Sequence, residues 1–279
     1  LRSLGAEVMG SDVPEEFYTD AILKRLGISY YEEFSPNRPD SDCNMLIHSA
    51  AYNAETNPEI IRALESGIPV LTYPEALGLL SEHYESAGIA GVHGKTTTTA
   101  LTGTLVKALK LPAVVLAGGA VSNFGDSSVM IEGQRFFIAE TCEYQRHFLS
   151  FSPKHIVLTS VEPDHLDYFS GYEDIQRAFI EYGLRCARQG ALIYCADEPG
   201  ARETAGRIKA ERPDLRLIPY GFAAAGKYRI LESRREEGIS LFTLAGFKES
   251  FEIRVPGKHT ILNASGALAL AALLYEEEK

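Results

Sequence analysis

The sequence has few of the features that mark secreted or membrane-spanning proteins. It contains only four cysteines in 279 residues and no Cys-x-x-Cys pair. This usage disfavours a disulfide framework or a zinc site and favours reduced thiols in a cytosol. No apolar run approaches the roughly 20 residues needed to span a bilayer, and the start has no basic segment followed by an apolar one. These absences predict a soluble cytoplasmic protein.

Positive charge is also scarce, since 27 Lys and Arg stand against 38 Asp and Glu, for a net charge of −11. This charge disfavours nucleic acid or an anionic membrane surface as the main partner. It does not disfavour an anionic nucleotide, whose site is set locally. With 45% hydrophobic residues the chain can bury a full core, and we expect more than one domain.

The first 85 residues alternate between strand and helix patterns. Strands are predicted at residues 7–9, 44–48 and 69–72, and helices at residues 19–26 and 57–64. Such alternation indicates a Rossmann-like parallel sheet with helical crossovers. Ligands of such sheets lie beyond the carboxyl ends of the strands, which makes Asp12 and Ser49 candidate ligand contacts. The alternative is that both residues merely cap turns or helices.

The first four residues have the pattern of a last helical turn, ended by Gly5. A parallel unit of this type normally begins with a strand and a glycine-rich turn before that helix. We therefore expect the natural polypeptide to carry part of a phosphate-binding turn before residue 1.

Residues 91–99, Gly-Val-His-Gly-Lys-Thr-Thr-Thr-Thr, are the most informative segment. Gly91 and Gly94 allow a tight turn that directs successive amide groups into one concavity. The Lys95 ammonium can then reach the outer phosphates of a nucleotide, while the Thr96 hydroxyl can hold Mg²⁺. The segment predicts an ATP site.

The flanking sequence supports a phosphate loop. A short apolar strand pattern ends at Ala90, and a helix pattern covers residues 100–109. The amino end of a helix adds partial positive charge beside a bound anion. The strict phosphate-loop motif has glycine where Ile89 stands, so the alternative is a glycine-rich turn before a threonine-rich helix.

Four further apolar runs have strand length, at residues 113–116, 135–139, 155–159 and 191–195. Their continuous hydrophobicity suits strands buried on both faces. Glu140 follows the second run, and His165 lies beyond the third. Carboxylates beyond neighbouring strand ends can converge on a phosphate loop, where Mg²⁺ binds oxygen ligands. The alternative is that Glu140 and His165 cap turns and contact solvent.

The pattern changes downstream, where short polar turns separate apolar runs at residues 216–220, 228–231, 239–243 and 251–255. These runs predict an antiparallel add-on sheet, and an alanine-rich helix follows through residue 274. The predicted fold class is α/β. We expect a Rossmann-like domain over residues 1–85 and a central phosphate-loop ATPase-type domain over residues 86–279 that carries a small antiparallel sheet.

Four motifs resemble the Mur ligases, the ATP-dependent amino-acid-adding enzymes of peptidoglycan synthesis. They are the phosphate loop at residues 90–99, Ala-Glu-Thr-Cys-Glu-Tyr at 139–144, Glu-Pro-Asp-His-Leu-Asp at 162–167 and Gly-Lys-His-Thr-Ile-Leu-Asn at 257–263. Their order and spacing match the family over the whole chain. Within the family, histidine at position 93 resembles the pattern of the member that joins L-alanine to UDP-N-acetylmuramate. The other ligases of the family usually have asparagine or another residue at the position of His93.

The resemblance implies roles for individual residues. The implied ATP-phosphate contacts are Gly91, Val92, His93, Gly94, Lys95, Thr96 and Thr97. Lys95 would contact the β and γ groups and Thr96 the first Mg²⁺. Glu140 would bind Mg²⁺ near the γ-phosphate, and His165 would help to hold a second cation.

The remaining implied contacts concern the adenine and the UDP-sugar. His259 and Asn263 would lie near the adenine, while Asp12, Ser49 and Asn57 would contact the UDP part of UDP-N-acetylmuramate. The sequence departs from the family pattern at two positions, and each departure weakens one contact of a side-chain amide. Ser160 stands where asparagine is often found, and Thr260 replaces the usual asparagine after His259.

Full ligases of this family carry a third domain after the alanine-rich helix, which contributes to amino-acid binding. The resemblance therefore implies that this chain binds nucleotide and UDP-sugar, and leaves ligation by the chain alone open. Three alternatives remain: a sibling ligase acting on a UDP-muramyl peptide, a non-ligating nucleotide-binding subunit, and a phosphate-loop NTPase for switching or transport. The sequence does not indicate the oligomeric state or the choice of amino acid.

Overall fold

The computed structural model describes residues 1–279, the side chain of Tyr18 excepted. The backbone divides into two compact units, Leu1–Ala76 and Leu77–Lys279. Both units are α/β, as the sequence predicts. The two units are described separately below.

The first unit contains two parallel sheets of two strands each. A 3-10 turn at Arg2–Leu4 precedes β1 (Met9–Ser11), α1 (Tyr18–Leu26), β2 (Ser29–Tyr31), β3 (Leu46–His48), α2 (Pro58–Glu65), β4 (Val70–Thr72) and α3 (Tyr73–Ser81). Strand β1 pairs with β2, and β3 pairs with β4. The predicted alternation of strands and helices is confirmed in outline, but the strands form two separate sheets rather than the one predicted sheet, and β2 was not predicted. Helix α3 crosses the division between the units, a few residues before the boundary predicted after residue 85.

The helix ends of this unit follow from local chemistry. The side-chain oxygen of Asn57 accepts the amide N–H groups of Glu59 and Ile60 at 3.0 and 3.2 Å, which satisfies two donors at the start of α2. Helix α1 ends at Gly27, whose φ of 61° lies in the left-handed region. The sequence prediction of both helices is confirmed.

The second unit is built on one ten-stranded sheet. Its elements are β5 (Glu85–Ala90), α4 (Lys95–Ala108), β6 (Ala113–Val121), β7 (Ser127–Ile131), β8 (Phe136–Glu140), β9 (His155–Leu158), α5 (Tyr172–Leu184), β10 (Ala191–Cys195), α6 (Pro199–Glu211), β11 (Arg216–Gly221), β12 (Tyr228–Glu236), β13 (Ile239–Leu244), β14 (Ser250–Ile253) and α7 (Lys258–Glu278). The strand order is β14-β13-β12-β11-β10-β9-β5-β8-β6-β7.

The central strands are buried on both faces. Strands β8 and β9 pair parallel to β5 on its two sides, and nearly all of their residues are buried. One apolar cluster includes Val106 of α4 and Leu270 of α7, and the other includes Phe179 of α5 and Ile208 of α6. The continuous hydrophobicity of these strands is therefore explained by helices packed against the sheet.

The prediction of a separate antiparallel sheet is wrong for its first strand. Strand β11 pairs parallel to β10, because α6 lies between the two strands and returns the chain to the same end of the sheet. The antiparallel pairing of β12, β13 and β14 is confirmed, but these strands extend the main sheet through β11. Strand β7, which pairs antiparallel to β6, has no counterpart among the predicted strands.

Helix α7 is anchored at its carboxyl end. The Glu277 carboxylate lies 3.0 Å from Nζ of Lys154 and 3.1 Å from Nε2 of His155, at the start of β9. Although burial acts in the opposite direction, His155 and Lys154 lower the pKa of Glu277 to about 2. Among the residues described, no helix is both long enough and apolar enough to cross a membrane.

A substitution at Gly88 of β5 tests how tightly the core is packed beneath the phosphate loop. A Cβ at Gly88 would overlap the hydroxyl of Tyr182, whose side chain is buried in the core. We expect Gly88→Ala to lower the free energy of unfolding by about 1–3 kcal/mol, because overpacking a dense core forces strain. Urea denaturation measures the change. Gly206→Ala is the matched control, since a Cβ there meets nothing within 4 Å in α6. An equal loss in both variants would contradict this explanation.

Candidate functional site

The loop between β5 and α4 turns tightly at two glycines. Gly91 has a φ of 138° and Gly94 a φ of 84°, which side chains rarely tolerate. A Cβ at Gly91 would also overlap the hydroxyl of Thr159. The loop therefore requires glycine at Gly91 for both conformation and space. The strand, turn and helix order expected of a phosphate loop is present.

The residues that follow β9 hold the loop in place. The hydroxyl of Thr159 donates to the His93 carbonyl at 2.6 Å. The N–H of His93 donates to the Ser160 hydroxyl at 2.9 Å, and the N–H of Val92 donates to the Ser160 carbonyl at 3.2 Å. Ser160 thus supports the loop directly, although the sequence analysis treated it only as a departure from the family pattern.

Lys95 begins α4, and its side chain folds back over the loop. Its ammonium donates to the carbonyls of Gly91 and Val92 at 2.6 and 3.2 Å. It also donates to both carboxylate oxygens of Glu143, at 2.9 and 3.1 Å. The Glu143 side chain is 1% exposed, so Lys95 supplies the positive charge that this buried carboxylate needs.

Glu143 was not among the individual residues predicted for the site. It lies three residues beyond Glu140 in the same motif, after the end of β8. Its position beyond a strand end was a usable signal. Its burial and its pairing with Lys95 depend on the turn after Glu143, which the sequence does not specify.

Glu140 lies beside the second residue of the helix. Its carboxylate accepts from the Thr96 hydroxyl at 2.9 Å and from the N–H of Gly118 at 2.7 Å. Glu140 ends β8, which pairs with β5 and so brings this carboxylate to the start of α4. The structure therefore brings together Thr96 and Glu140, the two residues predicted for the first cation.

His165 belongs to a second cluster with Glu143 and Asp164. Its Nε2 lies 3.6 Å from Glu143 and 3.8 Å from Asp164. One ligand atom from each of the three residues lies within 4.8 Å of the others. Two carboxylate oxygens and an imidazole nitrogen are suitable donors for a divalent cation. The residues present therefore fit a cation beside the phosphate loop.

Two groups near the site have displaced pKa values. Burial raises the pKa of the Cys142 thiol, and the neighbouring Glu143 raises it further, whereas Lys95 lowers it. Burial also raises the pKa of Glu198, with additional effects of Glu162 and Asp197. Because burial disfavours the charged form of a group, these shifts report mainly the removal of the groups from water.

The two residues predicted to lie near the adenine are at the start of α7. Asn263 contacts the phosphate loop, since a Cβ at Gly94 would lie 2.6 Å from its side-chain oxygen. His259 lies one helical turn earlier and is exposed. His93, Thr96 and Thr97 are also exposed at the loop. This arrangement leaves the loop and the beginning of α7 open on one side to solvent.

The candidate residues of the first unit are linked by one tyrosine. The Asp12 carboxylate accepts from the Tyr52 hydroxyl at 3.0 Å and from the N–H of Val13 at 2.8 Å. The N–H of Tyr52 donates to the Ser49 carbonyl at 3.1 Å, so the turns after β1 and β3 meet. Burial and Asp12 raise the pKa of Tyr52. Asn57, in contrast, is buried and uses its side-chain oxygen to cap α2.

Comparison with known proteins assigns a family to both units. Residues 89–271 match the model of the Mur ligase middle domain, and residues 1–85 match that of the Mur ligase family, catalytic domain. A UDP-N-acetylmuramate–L-alanine ligase from Treponema pallidum is 51% identical over 279 residues, covering 100% of this chain and 58% of that protein. One from Borreliella burgdorferi is 38% identical, covering 99% and 59%. The chain thus spans about three fifths of the length of these relatives.

Solved structures share the fold at lower identity. A UDP-N-acetylmuramate:L-alanyl-gamma-D-glutamyl-meso-diaminopimelate ligase from Neisseria meningitides has a TM-score of 0.82 and 23% identity, covering 98% of this chain and 87% of that one. A UDP-N-acetylmuramate-alanine ligase from Thermotoga maritima has a TM-score of 0.75 and 23% identity, covering 98% and 60%. Because the middle-domain model alone covers more than half of the residues, this chain belongs to the Mur ligase family.

Proposed function

We propose that this chain binds ATP and activates the carboxylate in a ligase reaction that joins L-alanine to UDP-N-acetylmuramate. The observation that carries the proposal is the meeting of Lys95, Glu143 and His165 beside the phosphate loop. ATP use agrees with the Mur ligase family, and the two substrates are those in the names of the curated relatives. The four cysteines are free thiols, which suits the cytoplasm where ATP is found.

The proposed reaction activates the muramate carboxylate before the amide bond forms. A carboxylate acylates poorly because oxide would have to leave. Transfer of the γ-phosphoryl group from ATP to the carboxylate gives an acyl phosphate with a competent leaving group. The amine of L-alanine then attacks the acyl carbon, and phosphate departs. Since ATP and the UDP-sugar are both anions, the chain must mainly position them and neutralise their charge.

Lys95 is the residue best placed to neutralise the phosphates. Its ammonium contacts a loop carbonyl and Glu143. We propose that Lys95 exchanges these partners for the β- and γ-phosphates, while amide groups of residues 91–97 hold the phosphate oxygens. The exchange would leave the Glu143 carboxylate free for a cation.

Mg²⁺ suits the oxygen donors around the loop. Thr96 and Glu140 would hold one ion, and the cluster of Glu143, Asp164 and His165 would hold a second. When bound, such ions supply positive charge that offsets phosphate repulsion. The assignment of Glu140 and His165 follows the sequence prediction, and Glu143 is added from its position in the structure.

The remaining ligand contacts are proposed from where the residues lie in the structure. His259 and Asn263 would lie along the adenine, because Asn263 touches the phosphate loop and His259 is exposed one turn away. In the first unit, Asp12 and Ser49 would contact the UDP part, beyond the ends of β1 and β3. Asn57 would contact the ligand only through its amide nitrogen, since its oxygen caps α2.

The function is tested by phosphate release from ATP with each candidate substrate. We expect this chain to release phosphate when UDP-N-acetylmuramate and L-alanine are both present, and less with glycine or L-serine. Preference for a UDP-muramyl peptide would instead indicate the sibling ligase. Release without any UDP-sugar would favour a phosphate-loop NTPase. ATP binding without release in any mixture would favour a nucleotide-binding subunit.

Lys95→Ala tests the neutralising role. We expect it to lower turnover by at least about two orders of magnitude, because it removes a preorganised charge at the transferring phosphate. Lys107→Ala is the matched control, since Lys107 is exposed further along the same helix. Circular dichroism checks that both variants are folded. Near-normal acyl-phosphate formation by Lys95→Ala would refute the role.

Glu143→Gln and Glu140→Gln separate the two carboxylates. We expect each to weaken Mn²⁺ binding in the presence of ATP by roughly tenfold or more, a loss seen even for groups that only support a metal ligand. Glu143→Gln should tighten ATP binding without metal more than Glu140→Gln does, because it also releases Lys95 from its ion pair. Calorimetric titration measures both affinities. Unchanged Mn²⁺ binding in Glu143→Gln would exclude this carboxylate as a ligand.

A further inference from the structure

His165 has a fixed backbone but a partly free side chain. Its φ of 49° lies in the left-handed region, which a histidine seldom adopts. Its N–H donates to the Asp164 side chain at 2.7 Å, and its carbonyl accepts from the N–H groups of Tyr168 and Phe169 at 2.9 Å. These bonds set the main chain only. The imidazole, 35% exposed, needs another contact to keep one orientation.

Tyr144 provides that contact. Its ring lies 4.8 Å from the His165 ring, at an angle of 49°. Its hydroxyl donates to Asp167 at 3.0 Å, two residues beyond His165. Tyr168 also packs edge-on against Tyr144, with ring centroids 5.9 Å apart. Tyr144 therefore contacts the His165 loop through both its ring and its hydroxyl.

The segment that carries Tyr144 is itself anchored. Gln145 and Arg146 both have left-handed φ values, 50° and 59°. The guanidinium of Arg146 lies 2.8 Å from both Asp174 and Glu181 of α5. The turn is therefore tied to a helix of the core, and Tyr144 follows Glu143 directly in the sequence. Residues that contact a metal ligand without binding the metal can orient that ligand.

We propose that Tyr144 is a positioning residue that holds the His165 imidazole towards Glu143. The inference rests on the proposed use of Glu143 and His165 as cation ligands. Tyr144 has no place in that ligand set and acts through His165 alone. It joins the two segments that form the cluster, because its backbone adjoins one ligand and its ring packs against the other. The sequence motifs indicated His165 but gave no role to Tyr144.

The test is a double-mutant cycle on Mn²⁺ binding to the 279-residue chain with ATP present. Free Mn²⁺ is measured by electron paramagnetic resonance. We expect Tyr144→Ala to weaken binding about tenfold, within the range for residues that orient a metal ligand. Because Tyr144 acts through His165, the double variant Tyr144→Ala/His165→Ala should bind no more weakly than His165→Ala. Additive losses in the double variant would overturn the proposal.

Two further variants sharpen the comparison. Tyr144→Phe keeps the ring and loses the bond to Asp167, so we expect a smaller loss than for Tyr144→Ala, roughly twofold, which is the low end for one hydrogen bond. Tyr275→Ala removes an exposed tyrosine from α7 and should leave Mn²⁺ binding unchanged. If Tyr144→Ala does not fold, Tyr144→Leu is measured in the same way. Wild-type affinity in the variant without an aromatic ring would overturn the inference.

The orientation of His165 is read independently in the metal-free chain. Proton–nitrogen spectra of the histidine rings should show the His165 signals displaced by the Tyr144 ring, and Tyr144→Ala should move them towards averaged values. Unmoved signals would refute the contact. The binding measurements also distinguish the positioning role of Tyr144 from the proposed function. Failure of the wild-type chain to bind Mn²⁺ with ATP defeats the proposed function, whereas normal wild-type binding that is unaffected by Tyr144→Ala defeats only the positioning role.

Discussion

The parallel pairing of β5 between β8 and β9 is the constraint on which the candidate site depends. Ile89 pairs with Glu140, and Ala90 pairs with Leu158, so the three strands end at the same edge of the sheet. The segments that follow them are therefore forced together. One supplies the phosphate loop, and the other two supply the carboxylates and the imidazole. The side-chain chemistry of the site is thus a consequence of backbone register.

The buried ion pair of Lys95 and Glu143 fixes a positive charge beside the phosphate loop. Removing a carboxylate from water is costly, and a nearby ammonium offsets that cost only if geometry and hydrogen bonds are good. Here the ammonium has four acceptors, two of them carbonyls of the loop. The positive charge is therefore held beside the loop, where the proposed phosphate site lies.

Local signals carried most of the fold prediction. The central sheet was predicted from the loop glycines, the helix that follows them and the continuous apolar strands. Each of these signals depends on residues that are neighbours in the sequence. Strand β11 was misjudged because its partner lies across a helix, and its own pattern does not distinguish parallel from antiparallel pairing. Glu140 and His165 were predicted from motifs, and their roles as ligands stay predictions. Glu143 and Tyr144 were not predicted, since their proposed roles depend on a turn with two left-handed residues that no local sequence pattern indicates.

The anchoring of α7 has a structural consequence. The helix has 21 residues and is therefore about 31 Å long. Near its beginning Asn263 touches the phosphate loop, and at its end Glu277 is bound to Lys154 and His155. Between these two contacts most residues of α7 are buried. One helix therefore spans the second unit from the phosphate loop to the segment at the start of β9.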